Sequence, residues 1–121
     1  MNNREIGNKY EDKSVEILEE NAYKILERNY QNRYGEIDII AEKNRKIIFI
    51  EVKYRKNNFY GYGYEAVDRK KLLKIIKLAE TYMQSKNYYE KNYQMQFDCM
   101  TYLGDKLDWI KDIVWGDEIG F

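Results

Sequence analysis

The chain has 121 residues, and its 21 lysine and arginine residues are balanced by 21 aspartate and glutamate residues, with one cysteine and no histidine or proline. This length predicts a single domain over residues 1–121, with one core. The absence of histidine excludes serine–histidine and cysteine–histidine triads and histidine-based zinc sites, so hydrolysis would depend on carboxylates, lysine, tyrosine or a bound metal.

The first predicted element is a helix over residues 6–21, because apolar residues recur at three- and four-residue spacing among charged ones. Glu11 lies on the same stripe as Val15 and Leu18, which predicts that its carboxylate points toward the protein body. On the pattern alone, the plainer interpretation is a side chain that bends out to solvent in the first turn, where negative charge suits the helix dipole.

Three candidate strands follow, over residues 23–30, 36–41 and 46–54. The last two are separated by a short polar connection that contains Asn44, a residue that favours tight turns. The second and third strands are therefore predicted to be antiparallel neighbours.

The second half begins with a loop over residues 57–64 and a helix from residue 65 to about residue 86. One flank of this helix carries Lys70, Lys74 and Lys77, which either solubilise the protein or contact phosphates. Alternating apolar residues predict a strand over residues 94–103, which buries Cys99 as a small thiol, and residues 107–121 are predicted to pack as a strand or short helix.

Two carboxylates and one ammonium group are predicted to meet on the second and third strands. Residues two apart in a strand share a face, so Glu51 and Lys53 project together about 7 Å apart. A hairpin that turns at Asn44 and Arg45 places Asp38 opposite Glu51, with β-carbons roughly 5 Å apart. Opposed carboxylates require compensation, and a divalent cation such as Mg²⁺ or Mn²⁺ provides it, as in metal-assisted phosphodiester hydrolysis.

The specificity of this pattern depends on its strand context. An acidic residue two positions before a lysine occurs three times, and the pairs Glu11 with Lys13 and Asp68 with Lys70 fall in predicted helices, where such residues do not share a face. Only Glu51 with Lys53 lies in a predicted strand. The structural alternative is a salt bridge between Lys53 and Asp38 at a sheet edge, which would contribute little stability if exposed.

The charge is unevenly distributed, although the formal net charge of zero argues against a protein that holds nucleic acid by bulk electrostatics. Residues 45–86 contain eleven basic and four acidic residues. This basic segment is either a set of solvated faces or a phosphate-facing surface beside the acidic residues.

These motifs resemble the acid and acid-x-lysine motifs of the restriction-endonuclease-like nuclease superfamily. The chain is most similar to the YraN-type family, small bacterial proteins regarded as endonucleases and similar to archaeal Holliday junction resolvases. The resemblance covers nearly the whole chain and includes Gly7, Glu11, residues 25–29, 35–41 and 49–53, Arg55, residues 66–67, Lys71 and residues 97–98. Tyr10, where the family usually has glycine, and Leu72, where a polar residue is common, depart from the pattern.

The resemblance implies an α/β fold with a central mixed sheet flanked by helices. It also implies that Asp38, Glu51 and Glu11 bind Mg²⁺ or Mn²⁺ and act in catalysis, with Lys53 as a further catalytic residue. Arg55, Lys70, Lys71 and Lys74 are the candidate nucleic-acid contacts.

The leading hypothesis is a metal-dependent endonuclease for DNA, with DNA favoured over RNA. Branched or damaged DNA in recombination or repair is the candidate substrate. A noncatalytic nucleic-acid-binding or interaction module with the same fold is the main alternative. A carboxylate-based hydrolase of a small phosphorylated molecule is a third, although the sequence has no phosphate-cradling glycine loop.

The polar start and the lack of an apolar run of about 20 residues predict a soluble, cytoplasmic protein without a membrane partner. A homodimer is compatible with an enzyme that cuts both strands of DNA, and residues 59–64 or 109–115 are candidate interfaces.

Overall fold

The computed structural model describes residues 2–55 and 69–113, without the side chains of Asn3 and Arg69. Two helices and five strands follow one another along this part of the chain. They are α1 (Asn3–Glu20), β1 (Lys24–Asn32), β2 (Gly35–Lys43), β3 (Lys46–Arg55), α2 (Arg69–Ser85), β4 (Gln94–Leu103) and β5 (Lys106–Ile110). The strands form one sheet in the order β1-β2-β3-β4-β5.

The sheet is mixed, because β3 and β4 pair in parallel while the other neighbouring strands are antiparallel. A parallel pair needs a long crossover, and α2 lies within the connection from β3 to β4. The α/β fold class, with a mixed sheet flanked by helices, is confirmed and is consistent with a restriction-endonuclease-like fold.

The predicted bounds agree closely with these elements. The predicted strand at residues 94–103 coincides with β4, whereas α1 begins three residues before its predicted start. It begins earlier because the Asn2 side chain caps the helix by accepting a hydrogen bond from the backbone N–H of Glu5 at 2.9 Å. Several predictions fall outside the described residues. They are the loop at residues 57–64, the candidate interface at residues 59–64, the predicted start of the second helix at residue 65, and the structure of residues 114–121.

The antiparallel hairpin of β2 and β3 is confirmed. Its turn residues Asn44 and Arg45 both have positive φ, at 52° and 60°, between the paired residues Lys43 and Lys46. Two successive left-handed residues match the right-handed twist of the flanking strands, and asparagine tolerates this conformation well. This tight turn fixes the register of β2 against β3, and therefore which side chains meet farther along the hairpin.

The two faces of the sheet are buried by different helices. The α1-side cluster contains Leu18 together with Ile48 and Ile50, whereas the α2-side cluster contains Phe49 and Tyr82. Successive residues of β3 thus alternate between the two cores, which explains why the centre of this strand is apolar without a break. Neither α1 nor α2 combines the length and the apolar character that a bilayer-spanning helix requires.

Asp98 joins β4 to β5 and to the chain beyond it. This residue is 2% exposed, and its Oδ1 accepts hydrogen bonds from the Asp112 backbone N–H at 2.9 Å and from Gln96 Nε2 at 3.0 Å. Its Oδ2 accepts a hydrogen bond from Trp109 Nε1 at 3.0 Å. A buried carboxylate is tolerated only with such compensation, so Asp98 serves the structure of the sheet edge.

Replacement of Asp98 by alanine is expected to lower the free energy of unfolding by about 3 kcal/mol, because three donors lose a charged acceptor. Urea unfolding followed by circular dichroism measures this loss. Asp108→Ala, at an exposed position of β5, is the matched control and should change stability little. Equal stabilities of the two variants would contradict a structural role for Asp98.

Candidate active site

Strand β3 presents Glu51 and Lys53 together on one face. Val52 and Tyr54, which alternate with them, pack against the α1-side cluster, so the two charged side chains project on the α2 side. Lys53 Nζ lies 3.7 Å from Glu51 Oε2, and their side chains are 27% and 15% exposed. This ion pair is therefore shielded from water on most sides, but open enough for a ligand to reach it.

Asp38 reaches the same place from β2 and interrupts the pairing of the two strands. The β2–β3 register runs to the pair Ile39 and Ile50, and just beyond it Asp38 Oδ2 accepts a hydrogen bond from the Val52 backbone N–H at 2.8 Å. The Asp38 carboxylate thus takes the place of a backbone acceptor. It is bound to the N–H of the residue that lies between Glu51 and Lys53 in the sequence. The predicted convergence of Asp38 with Glu51 thus occurs where the two strands cease to pair.

A cavity of about 390 Å³ opens at this point. Its walls carry three carboxylates and two ammonium groups and are formed by Glu36, Asp38, Glu51, Val52, Lys53 and Lys71. The cavity lies where β2, β3 and α2 meet, and its lining is charged rather than apolar. It suits a small, charged and hydrated ligand better than an apolar one.

Burial strongly affects the acids of this cavity. It raises the pKa of Glu51 to about 7, with the Asp38 charge as the second cause, whereas Lys53 and Lys71 oppose the rise. Burial also raises the pKa of Asp38, against the lowering effects of the Val52 N–H and Lys53. At neutral pH, Glu51 therefore lies close to its titration midpoint, and a bound cation would favour its ionised form.

Four residues singled out in the sequence thus lie together on one cavity: Asp38, Glu51, Lys53 and Lys71. Lys70 and Lys74, on the predicted basic flank of α2, are exposed and do not line the cavity. The helix directs Lys71 toward the acids instead. Glu36 was not predicted as a site residue. It could have been predicted, because it lies two residues before Asp38 on the same strand and such residues share a face of the sheet.

Glu11 points toward the protein body, as its place on the helical stripe predicts, and is 6% exposed. The alternative of a side chain bent out to solvent is wrong. Its Oε1 accepts hydrogen bonds from Asn29 Nδ2 at 2.9 Å and from Arg28 Nε at 3.1 Å. Glu11 is not among the residues that line the cavity, and its role in metal binding and catalysis stays a prediction.

Electrostatics nevertheless connect Glu11 with the acids of the cavity. Burial is the main cause that raises the pKa of Glu11, Arg28 opposes it, and the charge of Asp38 adds to the rise. Arg28 is also paired with Asp12 at 2.6 Å. The buried carboxylate of α1 thus lies within the field of Asp38, while its direct contacts are to β1.

The donor set on the cavity fits a magnesium-like ion. Among residues 2–55 and 69–113, no three histidine, cysteine or acidic side chains are grouped closely enough to hold a metal. Asp38 and Glu51 offer two carboxylates, and Mg²⁺ commonly binds through one or two carboxylates while it keeps several waters. The cavity volume leaves room for such waters, so Asp38 and Glu51 are the residues that would hold the ion.

Comparisons with known proteins find relatives that match most or all of the chain. A family model described as "Uncharacterised protein family UPF0102" matches residues 10–102. A UPF0102 protein of Fusobacterium nucleatum is 74% identical over 121 residues, which is all of both chains. A UPF0102 protein of Persephonella marina is 42% identical over 106 residues, 88% of this chain and 90% of the relative. A UPF0102 protein of Vibrio campbellii is 33% identical over 113 residues, 92% of this chain and 93% of the relative.

Proposed function

Because the chain belongs to the UPF0102 family, the YraN-type family that its motifs resemble, we propose that it is a metal-dependent endonuclease that hydrolyses phosphodiester bonds in DNA. Branched or damaged DNA of recombination and repair, in the cytoplasm, is the proposed substrate. The preference for DNA over RNA rests on the resemblance to Holliday junction resolvases. A homodimer is part of the proposal only for a substrate that requires two cuts.

The observation that carries this proposal is the convergence of Asp38, Glu51, Lys53 and Lys71 on one cavity. Two acids whose pKa is raised by burial cost stability when both are ionised, and such pairs are typical of sites that bind a cation. The neighbouring lysines supply positive charge for a phosphate, which the acids alone would repel. This combination of acids and ammonium groups suits a phosphodiester whose charge increases during hydrolysis.

The chemistry divides among the side chains as follows. Mg²⁺ or Mn²⁺, when bound, would supply an activated water and stabilise charge on the phosphate. Asp38 and Glu51 would hold that ion, and the hydrogen bond from the Val52 N–H keeps Asp38 in a fixed orientation. Lys53, beside Glu51, would position the attacking water or neutralise the transition state, and Lys71 would contact the substrate phosphate from α2.

Incubation of the purified protein with junction, flap, duplex and single-stranded DNA, and with matched RNA, in the presence of Mg²⁺ or Mn²⁺ tests this function. We expect cleavage of at least one DNA structure and none in the presence of EDTA. Failure to cleave any substrate with either metal would count decisively against the enzyme.

A noncatalytic nucleic-acid-binding module is the second candidate, and one observation favours it. Within the described ranges no third acidic side chain is grouped closely enough with Asp38 and Glu51 to complete a metal site, and Glu11 is engaged by Arg28 and Asn29. Such a module would bind DNA in a salt-dependent way, and Asp38→Ala would bind it equally or better because a repulsive charge is removed. Affinity that increases with Mn²⁺ and is lost in Asp38→Ala would reject it.

A further inference from the structure

Arg55 is the last residue of β3 and extends the charged face of this strand beyond the cavity. It lies two residues after Lys53, as Lys53 lies two residues after Glu51, and the intervening Tyr54 packs on the α1 side. Its backbone is fixed by pairing with Leu103 of β4 and by a hydrogen bond from the Gly104 N–H to the Arg55 carbonyl at 3.1 Å. The guanidinium therefore originates from a rigid position on the side of the sheet that carries the cavity.

The Nε of Arg55 is buried and lacks a hydrogen-bond partner among the described residues. Arg55 also makes no ion pair with an acid of residues 2–55 or 69–113. A buried donor without a partner costs about 1–3 kcal/mol, so proteins rarely keep one without a reason. For a guanidinium, the best explanation is a ligand that supplies the missing acceptor. The N–H donors of a guanidinium match the oxygens of a phosphate in geometry.

Arg55 and Lys53 differ in what already neutralises them. Lys53 has Glu51 at 3.7 Å, whereas the Arg55 charge has no such partner in the described part of the chain. Residues two apart on a strand are separated by about 7 Å, a step similar to that between neighbouring phosphates along one nucleic-acid strand. A phosphate placed against Lys53 and the two acids would thus have its neighbour beside Arg55.

We propose that Arg55 binds the phosphate adjacent to the scissile one, so that the site acts on a polynucleotide strand with at least two consecutive phosphates rather than on an isolated phosphodiester. This inference rests on the proposed function. It also assigns a path to the bound nucleic-acid strand, which follows β3 from the cavity toward Leu103 and Gly104. It also separates the protein from hydrolases of small phosphorylated molecules, which need no second phosphate.

Cleavage of short substrates with Mn²⁺ tests the inference. Thymidine dinucleotide has a single linkage phosphate, whereas the trinucleotide has two. We expect kcat/KM of the unaltered protein to be about 10- to 100-fold higher for the trinucleotide, as for the loss of one charge-assisted contact. In Arg55→Ala this preference should largely disappear, mainly through slower cleavage of the trinucleotide. Arg4→Ala, at an exposed position of α1, is the matched control and should keep the preference.

Binding to a fluorescent single-stranded oligonucleotide without divalent metal gives an independent readout. Arg55→Ala should bind more weakly than Arg4→Ala, and the slope of log affinity against log salt should be about one unit shallower. If neither the short substrates nor the junction, flap, duplex and single-stranded DNA are cleaved but this change in slope is seen, the proposed enzyme fails and the phosphate contact stands. An unchanged salt slope, or an unchanged preference for the trinucleotide in Arg55→Ala, overturns the role of Arg55.

Discussion

Lys53→Ala is expected to reduce the single-turnover rate of DNA cleavage with Mn²⁺ by about 10²- to 10³-fold, the usual loss when one preorganised stabiliser of transition-state charge is removed. The ammonium group of Lys53 lies 3.7 Å from Glu51 and on the wall of the cavity, so its loss deprives two partly buried acids of a neighbouring cation. Single-turnover kinetics on the best DNA substrate isolate this effect from product release.

Lys106→Ala provides the matched control for this prediction, because Lys106 is an exposed lysine of β5 at the far edge of the sheet. Circular dichroism of both variants verifies that the sheet is retained. DNA binding of Lys53→Ala should fall much less than its cleavage rate, since other basic residues remain. Equal rates for Lys53→Ala and the unaltered protein would remove Lys53 from the mechanism and leave the noncatalytic module as the better interpretation.

Glu51→Gln is expected to raise the stability of the metal-free protein while it removes the response to metal. The pKa of Glu51 is raised from an ordinary value of 4.5 to about 7 in the folded protein. The folded state therefore holds more protons than the unfolded state between these values, and the free energy of unfolding decreases as the pH rises from about 4.5 to about 7. A pKa shift of this size corresponds to about 3 kcal/mol in the free energy of unfolding. This contribution is present below pH 4.5 and is lost once the pH exceeds the pKa of Glu51 in the folded protein.

Denaturation at pH 5 and pH 8 without metal measures this dependence. Glu51→Gln should be more stable than the unaltered protein at pH 8, and this difference should be much smaller at pH 5, because glutamine resembles the protonated acid. Glu16→Gln, on the exposed face of α1, is the matched control and should show neither effect. Stability that is higher at pH 8 than at pH 5 in the unaltered protein, but not in Glu51→Gln, would have the wrong sign.

The metal response is measured at pH 8 by thermal unfolding with and without Mn²⁺. Ligand binding to the folded state at 100 times its dissociation constant adds about 2.7 kcal/mol, and the unaltered protein should gain on this scale. Glu51→Gln should lose most of the gain, because an uncharged amide replaces one of two carboxylate ligands. An identical Mn²⁺ shift in Glu51→Gln and Glu16→Gln would show that the metal binds elsewhere.

The sequence allowed the core of the candidate site to be predicted because local rules determine it. A two-residue turn at Asn44 and Arg45 fixes the register of the hairpin, and the alternation of side chains then brings Asp38 toward Glu51 and Lys53. Each of these steps depends on residues close together in the chain. That the sheet is mixed, by contrast, was implied by the family resemblance and not by periodicity, which does not specify which strands become neighbours.

Features that depend on contacts between distant elements were not predictable from these patterns. Asp38 accepts the Val52 N–H, an interaction that requires the strands to stop pairing at that point. Glu11 meets Asn29, whose positive φ of 50° is a departure from extended backbone within β1. Lys71 reaches the cavity because packing of Leu78 and Tyr82 against the sheet sets the rotation of α2.

The mixed pairing of the sheet also has a consequence for the order of folding. Strands β1, β2 and β3 form a continuous antiparallel meander, whereas β4 can join β3 only after the chain that includes α2 has crossed over. Contacts between nearby segments form faster than distant ones, because less chain entropy is lost when their loops close. The two acids should therefore come to face each other before α2 docks on the sheet and brings Lys71 to them.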